Sequence, residues 1–311
     1  IQETSMGSKI QGLIAAPFTP FRSNGELQLD VVEGYANVLA SNGVVGAFIC
    51  GTTGEGLSLT TSERCQLAER WVRVAPTGLR VIVHVGHTSL KDACQLAAHA
   101  QSIGASSIAC MAPCFFKPAG VEGLVQWCQH VAQAAPGLDF YYYHIPSMTG
   151  VHDLVHDFLQ QAGERIPNMV GVKFTFEDLN DFGKCLRFEG GHYDMLFGRD
   201  EMLLSALALG CRGAVGSTYN FAAPLYQELI RAYNAGETER AAEMQQLAVQ
   251  MIQTLIHASI HPIATFKSLM NRHVFDCGPT RLPLVGPTPE QFEKLETQLD
   301  ALGVLPWLSK P

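Results

Sequence analysis

Eight short apolar runs, each followed by a stretch of helical period, organise most of this chain and leave few folds open to it. The runs are Gly12–Ala16, Gly46–Ile49, Val81–His84, Ser107–Met111, Phe140–Tyr143, Met169–Phe174, Met195–Phe197 and Gly213–Val215. They do not alternate cleanly between apolar and polar residues, so they read as strands buried on both faces, the habit of parallel sheets. Between them lie amphipathic stretches such as Val31–Leu39, Glu63–Val74, Leu90–Ile103 and Leu124–Ala134, and a further helix follows at Pro224–Asn234. Ser62 and Ser89 are the candidate N-caps of two of these. Eight βα units predict an α/β fold of the (β/α)8 TIM-barrel type. An open doubly wound sheet shows the same alternation, but no GxGxxG follows the first run.

After Asn234 strand candidates cease. Glu237–Ser259, Pro262–Arg272 and Glu290–Leu302 read as helices, with Pro279, Pro283, Pro287 and Pro289 punctuating the segment between the last two. The expected division is therefore a catalytic barrel over residues 1–235 and a helical region over 236–311 packed on it.

Of the 311 residues 47% are hydrophobic and only 16% charged, against about 25% in an average domain. So sparse a supply of surface charge suggests contacts between subunits. A net charge of −8 argues against a nucleic-acid surface, which is built from Lys and Arg. The nine cysteines have no CxxC spacing and several sit in apolar runs, so buried thiols in a reducing compartment are expected rather than disulfides. Residues Ile1 to Lys9 carry no apolar leader, and no uncharged apolar run reaches the roughly 18 residues of a membrane span. The cytosol is the expected compartment, with no membrane partner.

In such a barrel, chemistry is carried where the strands end. The second run ends in Gly51-Thr52-Thr53-Gly54-Glu55-Gly56, a turn whose hydroxyls and amides suit a small carboxylate or phosphate, although an ordinary tight βα turn would look the same. The sixth run, Met169-Val170-Gly171-Val172-Lys173-Phe174, places a lysine among apolar neighbours. The other seven lysines lie near the ends of the chain, in loops, or in helical stretches where the stem can reach water. Burial lowers the pKa of an amine and frees it as a nucleophile, so Lys173 is either a Schiff-base lysine or the partner of a buried carboxylate. In Tyr141-Tyr142-Tyr143-His144-Ile145-Pro146, alternation turns Tyr141 and Tyr143 to one face and Tyr142 to the other, with His144 directed away from the interior.

Taken together, Gly51-Thr52-Thr53-Gly54-Glu55, Tyr143-His144-Ile145-Pro146 and Val172-Lys173-Phe174-Thr175 resemble the pyruvate-dependent class I aldolases of the N-acetylneuraminate lyase and dihydrodipicolinate synthase family. The resemblance runs from about Gly12 to Pro283. It includes Gly198-Arg199-Asp200-Glu201 and Gly216-Ser217-Thr218-Tyr219-Asn220, which look like the lyase branch in its animal form. It implies that Lys173 forms an imine with the keto carbon of an open-chain sugar acid and that Tyr143 moves the proton. It implies that Thr52 and Thr53 hold the carboxylate, and that Thr175, Gly198, Asp200, Glu201 and Ser217 contact the sugar tail. The implied reaction is reversible cleavage of N-acetylneuraminate to N-acetylmannosamine and pyruvate by a homotetramer, without metal or cofactor. In the synthase branch an arginine stands two residues beyond the proline of the tyrosine motif; here that place is Met148, which cannot pair with a second carboxylate. Other readings are an aldolase for another 2-keto-3-deoxy sugar acid and a non-catalytic metabolite-binding protein on the same scaffold. Phe176-Glu177-Asp178, beyond Thr175, departs from the family pattern at the tail end of the site. His152/His156 and His257/His261 have ligand spacing, but neither pair forms HExxH, and surface or capping roles are expected.

Overall fold

The computed structural model describes residues 9–258 and 261–311. Eight strands, β1 (Gly12–Ala15), β2 (Gly46–Ile49), β3 (Arg80–His84), β4 (Ser107–Met111), β5 (Asp139–His144), β6 (Met169–Phe174), β7 (Asp194–Phe197) and β8 (Gly213–Gly216), form a closed parallel barrel in sequence order. Closure is made by β1 on β8, with Gly12 opposite Gly213 and Ala15 opposite Gly216. The period of two along each strand divides the apolar residues into two cores. Ile14, Phe48, Ile82, Ala109, Tyr141, Tyr143, Leu196 and Val215 fill the barrel interior. Leu13, Ala47, Val83, Ile108, Tyr142, Val172, Phe197 and Ala214 face outward into the layer beneath the helices. This double burial is why the runs lack apolar–polar alternation.

The surrounding helices are α1 (Val32–Ser41), α2 (Thr61–Val74), α3 (Leu90–Ser102), α4 (Gly120–Gln133), a single turn α5 (Pro146–Thr149), α6 (Val155–Ala162), α7 (Leu179–Arg187), α8 (Leu203–Leu209) and α9 (Ala223–Asn234). Ser89 caps α3 as expected, accepting from the Asp92 N–H at 3.3 Å. At α2 the cap is Thr60, not Ser62. Thr60 accepts from the Glu63 N–H at 3.2 Å while the Glu63 carboxylate accepts from the Thr60 N–H at 2.8 Å. That reciprocal pair needs partners three positions apart, and Ser62 stands too close to Glu63 to make it.

Three more helices follow, α10 (Thr238–His257), α11 (Pro262–His273) and α12 (Pro289–Ala301). Ser259, the expected end of the first, lies outside the described residues. On α10 the buried residues Ala241, Met244, Ala248, Met251, Ile252 and Leu255 recur at helical spacing. Gln245 of α10 receives the Leu204 N–H at 2.8 Å, which fastens α10 to the start of α8, beside the C-terminal rim of the barrel.

Two expectations about side chains meet different outcomes. All nine cysteines are unpaired, and Cys50, Cys110, Cys128, Cys185, Cys211 and Cys277 are buried. Lys267, however, does not reach water from its helix: it is 1% exposed. Its ammonium donates to the carbonyls of Thr19 and Pro279, each at 2.7 Å, and pairs with Glu55 at 3.2 Å. The cause is that α11 is covered almost all round, with Thr265, Phe266, Lys267, Leu269 and Met270 all buried, so the stem has no solvent face to follow.

Candidate active site

The nine residues singled out from the sequence, Lys173, Tyr143, Thr52, Thr53, Thr175, Gly198, Asp200, Glu201 and Ser217, line one cavity of about 200 Å³ at the C-terminal rim. They arrive on five different strands, β2, β5, β6, β7 and β8. Residues from the later helices close the same cavity: Ile252 and Ile256 on α10, and Ile263 and Phe266 on α11.

Lys173 enters from β6, level with Tyr143 on β5 and Leu196 on β7. Its neighbours Val172 and Phe174 face outward, so alternation sends the amine into the barrel. There it lies 3.9 Å from the centroid of the Phe48 ring and 4.2 Å from that of Tyr143. Burial among these rings lowers the amine to about 7, while the Asp200 carboxylate opposes the shift. An amine near neutrality, with no close ion pair among the described residues, is competent to add to a ketone.

The β2–α2 turn is held hard. Cys50 and Glu55, both left-handed at φ 58° and 54°, bracket it, a backbone state that persists in side-chain-bearing residues only where the surroundings enforce it. Here they do: Thr19 donates to the Gly54 carbonyl at 2.5 Å, and Glu55 is clamped by Lys267 and by the Arg281 N–H at 2.8 Å. The turn thereby presents Thr52 and Thr53 to one cavity with different hydroxyl partners. The Thr52 hydroxyl lies 3.2 Å from that of Tyr143, and the Thr53 hydroxyl 2.6 Å from that of Ser217.

Burial pushes the Tyr143 phenol up to about 12, with the neighbouring Thr52 and Thr175 hydroxyls pulling the other way. His144 projects outward instead, 3.3 Å from the Tyr142 hydroxyl and against the rings of Phe174 and Phe176. Burial lowers it to about 3, so it is neutral and remote from the cavity.

Asp200 and Glu201, adjacent in sequence, part company. Asp200 turns inward and accepts from the Thr218 N–H at 3.0 Å and hydroxyl at 2.6 Å. Burial still raises it to about 6. Glu201 points toward the mouth and pairs with Arg199 at 2.9 Å. Two glycines make room for this arrangement: a Cβ at Gly198 would collide with the Thr175 hydroxyl, and one at Gly216 with the Asp200 carboxylate. Met148 does not line the cavity and is 58% exposed. Arg199, Thr218 and Phe48 also line or abut the cavity but were not among the expected residues. Arg199 and Thr218 stand inside the quoted motifs, next to residues that were; Phe48 was hidden because an inward aromatic in a strand reads as core.

Comparison with known proteins agrees with this geometry. Residues 9–302 match the dihydrodipicolinate synthetase family. The N-acetylneuraminate lyase of Rattus norvegicus is 41% identical over 300 residues, covering 96% of this chain and 94% of the relative. The N-acetylneuraminate lyase A of Xenopus laevis is 42% identical over 281 residues, 89% of this chain and 92% of the relative. The solved Proteus mirabilis N-acetylneuraminate lyase superposes with a TM-score of 0.92 at 41% identity, covering 96% of this chain and all of that one. A match to the family along nearly the whole length, on the fold and cavity described above, means that this chain belongs to the dihydrodipicolinate synthetase family.

Proposed function

We propose that the protein is an N-acetylneuraminate lyase, reversibly splitting that sugar acid into N-acetylmannosamine and pyruvate by imine catalysis. The observation that carries this reading is the Lys173 amine, buried beside Tyr143 and facing the Thr52-Thr53 turn in one cavity. In the proposed sequence the turn's hydroxyls and amides hold the substrate carboxylate, which fixes the keto carbon against Lys173. The amine adds to that carbon, water leaves, and the imine is protonated. The C3–C4 bond then breaks, its electron pair moving into the protonated imine to give an enamine, while the C4 hydroxyl loses its proton and becomes the aldehyde of N-acetylmannosamine. The enamine takes a proton at C3, and water adds to release pyruvate and restore the amine.

With a phenol at about 12, Tyr143 is a weak base by itself. It serves better as a relay, passing the proton through the Thr52 hydroxyl toward the bound carboxylate. Thr175, Gly198, Asp200, Glu201 and Ser217 are assigned to the hydroxylated tail. Met148, exposed and uncharged, offers nothing to a second carboxylate, which speaks against the synthase chemistry known in the family. No described helix is long and apolar enough to cross a membrane. With nine unpaired cysteines as further support, we place the protein in the cytoplasm, as a homotetramer on the family's pattern.

Two measurements test the reading. Incubation with N-acetylneuraminate should release pyruvate, and borohydride reduction in the presence of pyruvate should add the pyruvyl mass to Lys173. Faster release from a shorter 2-keto-3-deoxy sugar acid would reassign the substrate, and an adduct on another lysine would overturn the mechanism.

A further inference from the structure

The Thr52-Thr53 turn is reached from behind by a line of buried polar groups that the proposed chemistry does not use. Its inner member is Ser217, just beyond β8, whose hydroxyl lies 2.6 Å from that of Thr53. Its outer members, Asn220 and Tyr35, are each 0% exposed and stand outside the cavity wall. The line begins where the barrel seam runs short of backbone donors. The ladder between β1 and β8 continues as far as the Ala16 N–H on the Gly216 carbonyl at 2.9 Å. Beyond it the chain winds into a short 3-10 turn, Thr218–Asn220, which leaves the carbonyls of Ala16 and Ser217 facing the same space.

The Asn220 side chain fills that space. Its Nδ2 donates to both carbonyls, each at 2.7 Å, and so spends both of its protons. Tyr35, on α1, fixes which way the amide stands. Its hydroxyl accepts from the Phe18 N–H at 3.2 Å, and its own proton goes to Asn220 Oδ1 at 2.7 Å. A flipped amide would set an oxygen against two carbonyls and leave the tyrosine proton without an acceptor. The inner end of the line has a direction as well. Two hydroxyls 2.6 Å apart place one proton between them, and a substrate carboxylate can only accept. When Thr53 donates to that carboxylate, the proton between the hydroxyls is therefore the one from Ser217. A hydroxyl that accepts in this way is the stronger donor.

We propose that Tyr35 and Asn220 are positioning residues for the carboxylate end of the reaction. They hold the Ser217 backbone so that its hydroxyl donates to Thr53, which in turn donates to the substrate carboxylate. The proposal rests on the reading that the Thr52-Thr53 turn holds that carboxylate, and it gives Ser217 a task there besides the one at the sugar tail.

Pyruvate, which has the carboxylate and no tail, isolates this end of the site. The test measures the pyruvate concentration that half-saturates borohydride trapping on Lys173 in full-length wild type, Tyr35→Phe, Ser217→Ala and the double variant. Tyr35→Phe removes one oxygen atom outside the cavity, and half-saturation should rise about fivefold, the usual effect of one hydrogen bond. Ser217→Ala should raise it by a similar factor. Because both act through one hydroxyl, the double variant should be no weaker than the weaker single one, whereas independent effects, such as a general loosening of the fold, would multiply. Multiplied factors would overturn the proposal, as would half-saturation unchanged in either single variant. Should Tyr35→Phe give no folded protein, Asn220→Ser takes its place in the same cycle with the same expected outcome. Wild type that traps pyruvate on Lys173 but releases none from N-acetylneuraminate would defeat the lyase reading while the cycle still decides the role of Tyr35 and Asn220. Wild type that does both, with multiplied factors in the cycle, would defeat that role alone.

Discussion

Lys173 is the residue where stability and reactivity are opposed. Its amine sits at about 7 in the folded chain, against an ordinary value of 10.5. Below pH 7 both folded and unfolded chains carry the proton, and the folded one bears the full desolvation penalty. Between about 7 and 10.5 only the unfolded chain still binds the proton, so the penalty shrinks as pH rises, and above 10.5 it is gone. Lys173→Met should therefore be more stable than wild type at pH 6, on the order of a few kcal/mol, with the difference closing toward pH 10. Asp200, left without its cation, can take up a proton because burial already holds it at about 6, and this limits the loss on that side. Urea midpoints across that pH range measure the effect; a variant less stable than wild type, or an offset that does not change with pH, would contradict it. For the same reason kcat/KM of the wild type should rise through pH 7 as the amine loses its proton. Lys173 was legible in the sequence because a strand gives a lysine no route to solvent. Lys267 was not, since a helical lysine normally has such a route, and only the packing around α11 removes it.

At the scale of elements, the β2–α2 turn shows what a motif does not reveal. Gly51-Thr52-Thr53-Gly54-Glu55 marks a binding turn, yet nothing in it names the clamp, because Lys267 and Arg281 lie more than two hundred residues further along the chain. The strands themselves were readable as short apolar runs, unalternating because both faces are buried. The cap of α2 was misplaced by two residues, because the deciding partner was the Glu63 side chain and not the nearest hydroxyl to the helix. The clamp can be tested by separating charge from shape. Lys267→Met leaves the Glu55 carboxylate buried without its cation and should cost about 3–5 kcal/mol. Adding Glu55→Gln removes the stranded charge while leaving an oxygen for the Arg281 N–H, so the double variant should regain much of that loss. Urea midpoints for the single and double variants decide it. A double variant no more stable than Lys267→Met would mean that the pair acts through packing and not through charge.

For the whole molecule, the low charged fraction becomes a statement about surface. Only 16% of residues carry charge, and the loop between β4 and α4 exposes two large rings side by side, Phe115 at 75% and Phe116 at 84%. The rings meet edge to face with centroids 5.0 Å apart, a compact apolar knob rather than scattered residues. Burying a side chain of this size contributes about 1.5–3 kcal/mol, so the proposed homotetramer would gain from covering the knob. The proposed homotetramer then leads to two measurements. Light scattering at micromolar concentration should give a particle of about four times the 33.8 kDa chain. Replacing both rings, Phe115→Ser with Phe116→Ser, should shift the distribution toward smaller species while the isolated barrel keeps its fold, because neither ring belongs to either core. A wild-type mass of one chain would remove the tetramer. A tetramer untouched by the double substitution would move the contact to another face, and the two aromatic rings would then need a different reason to stand in water.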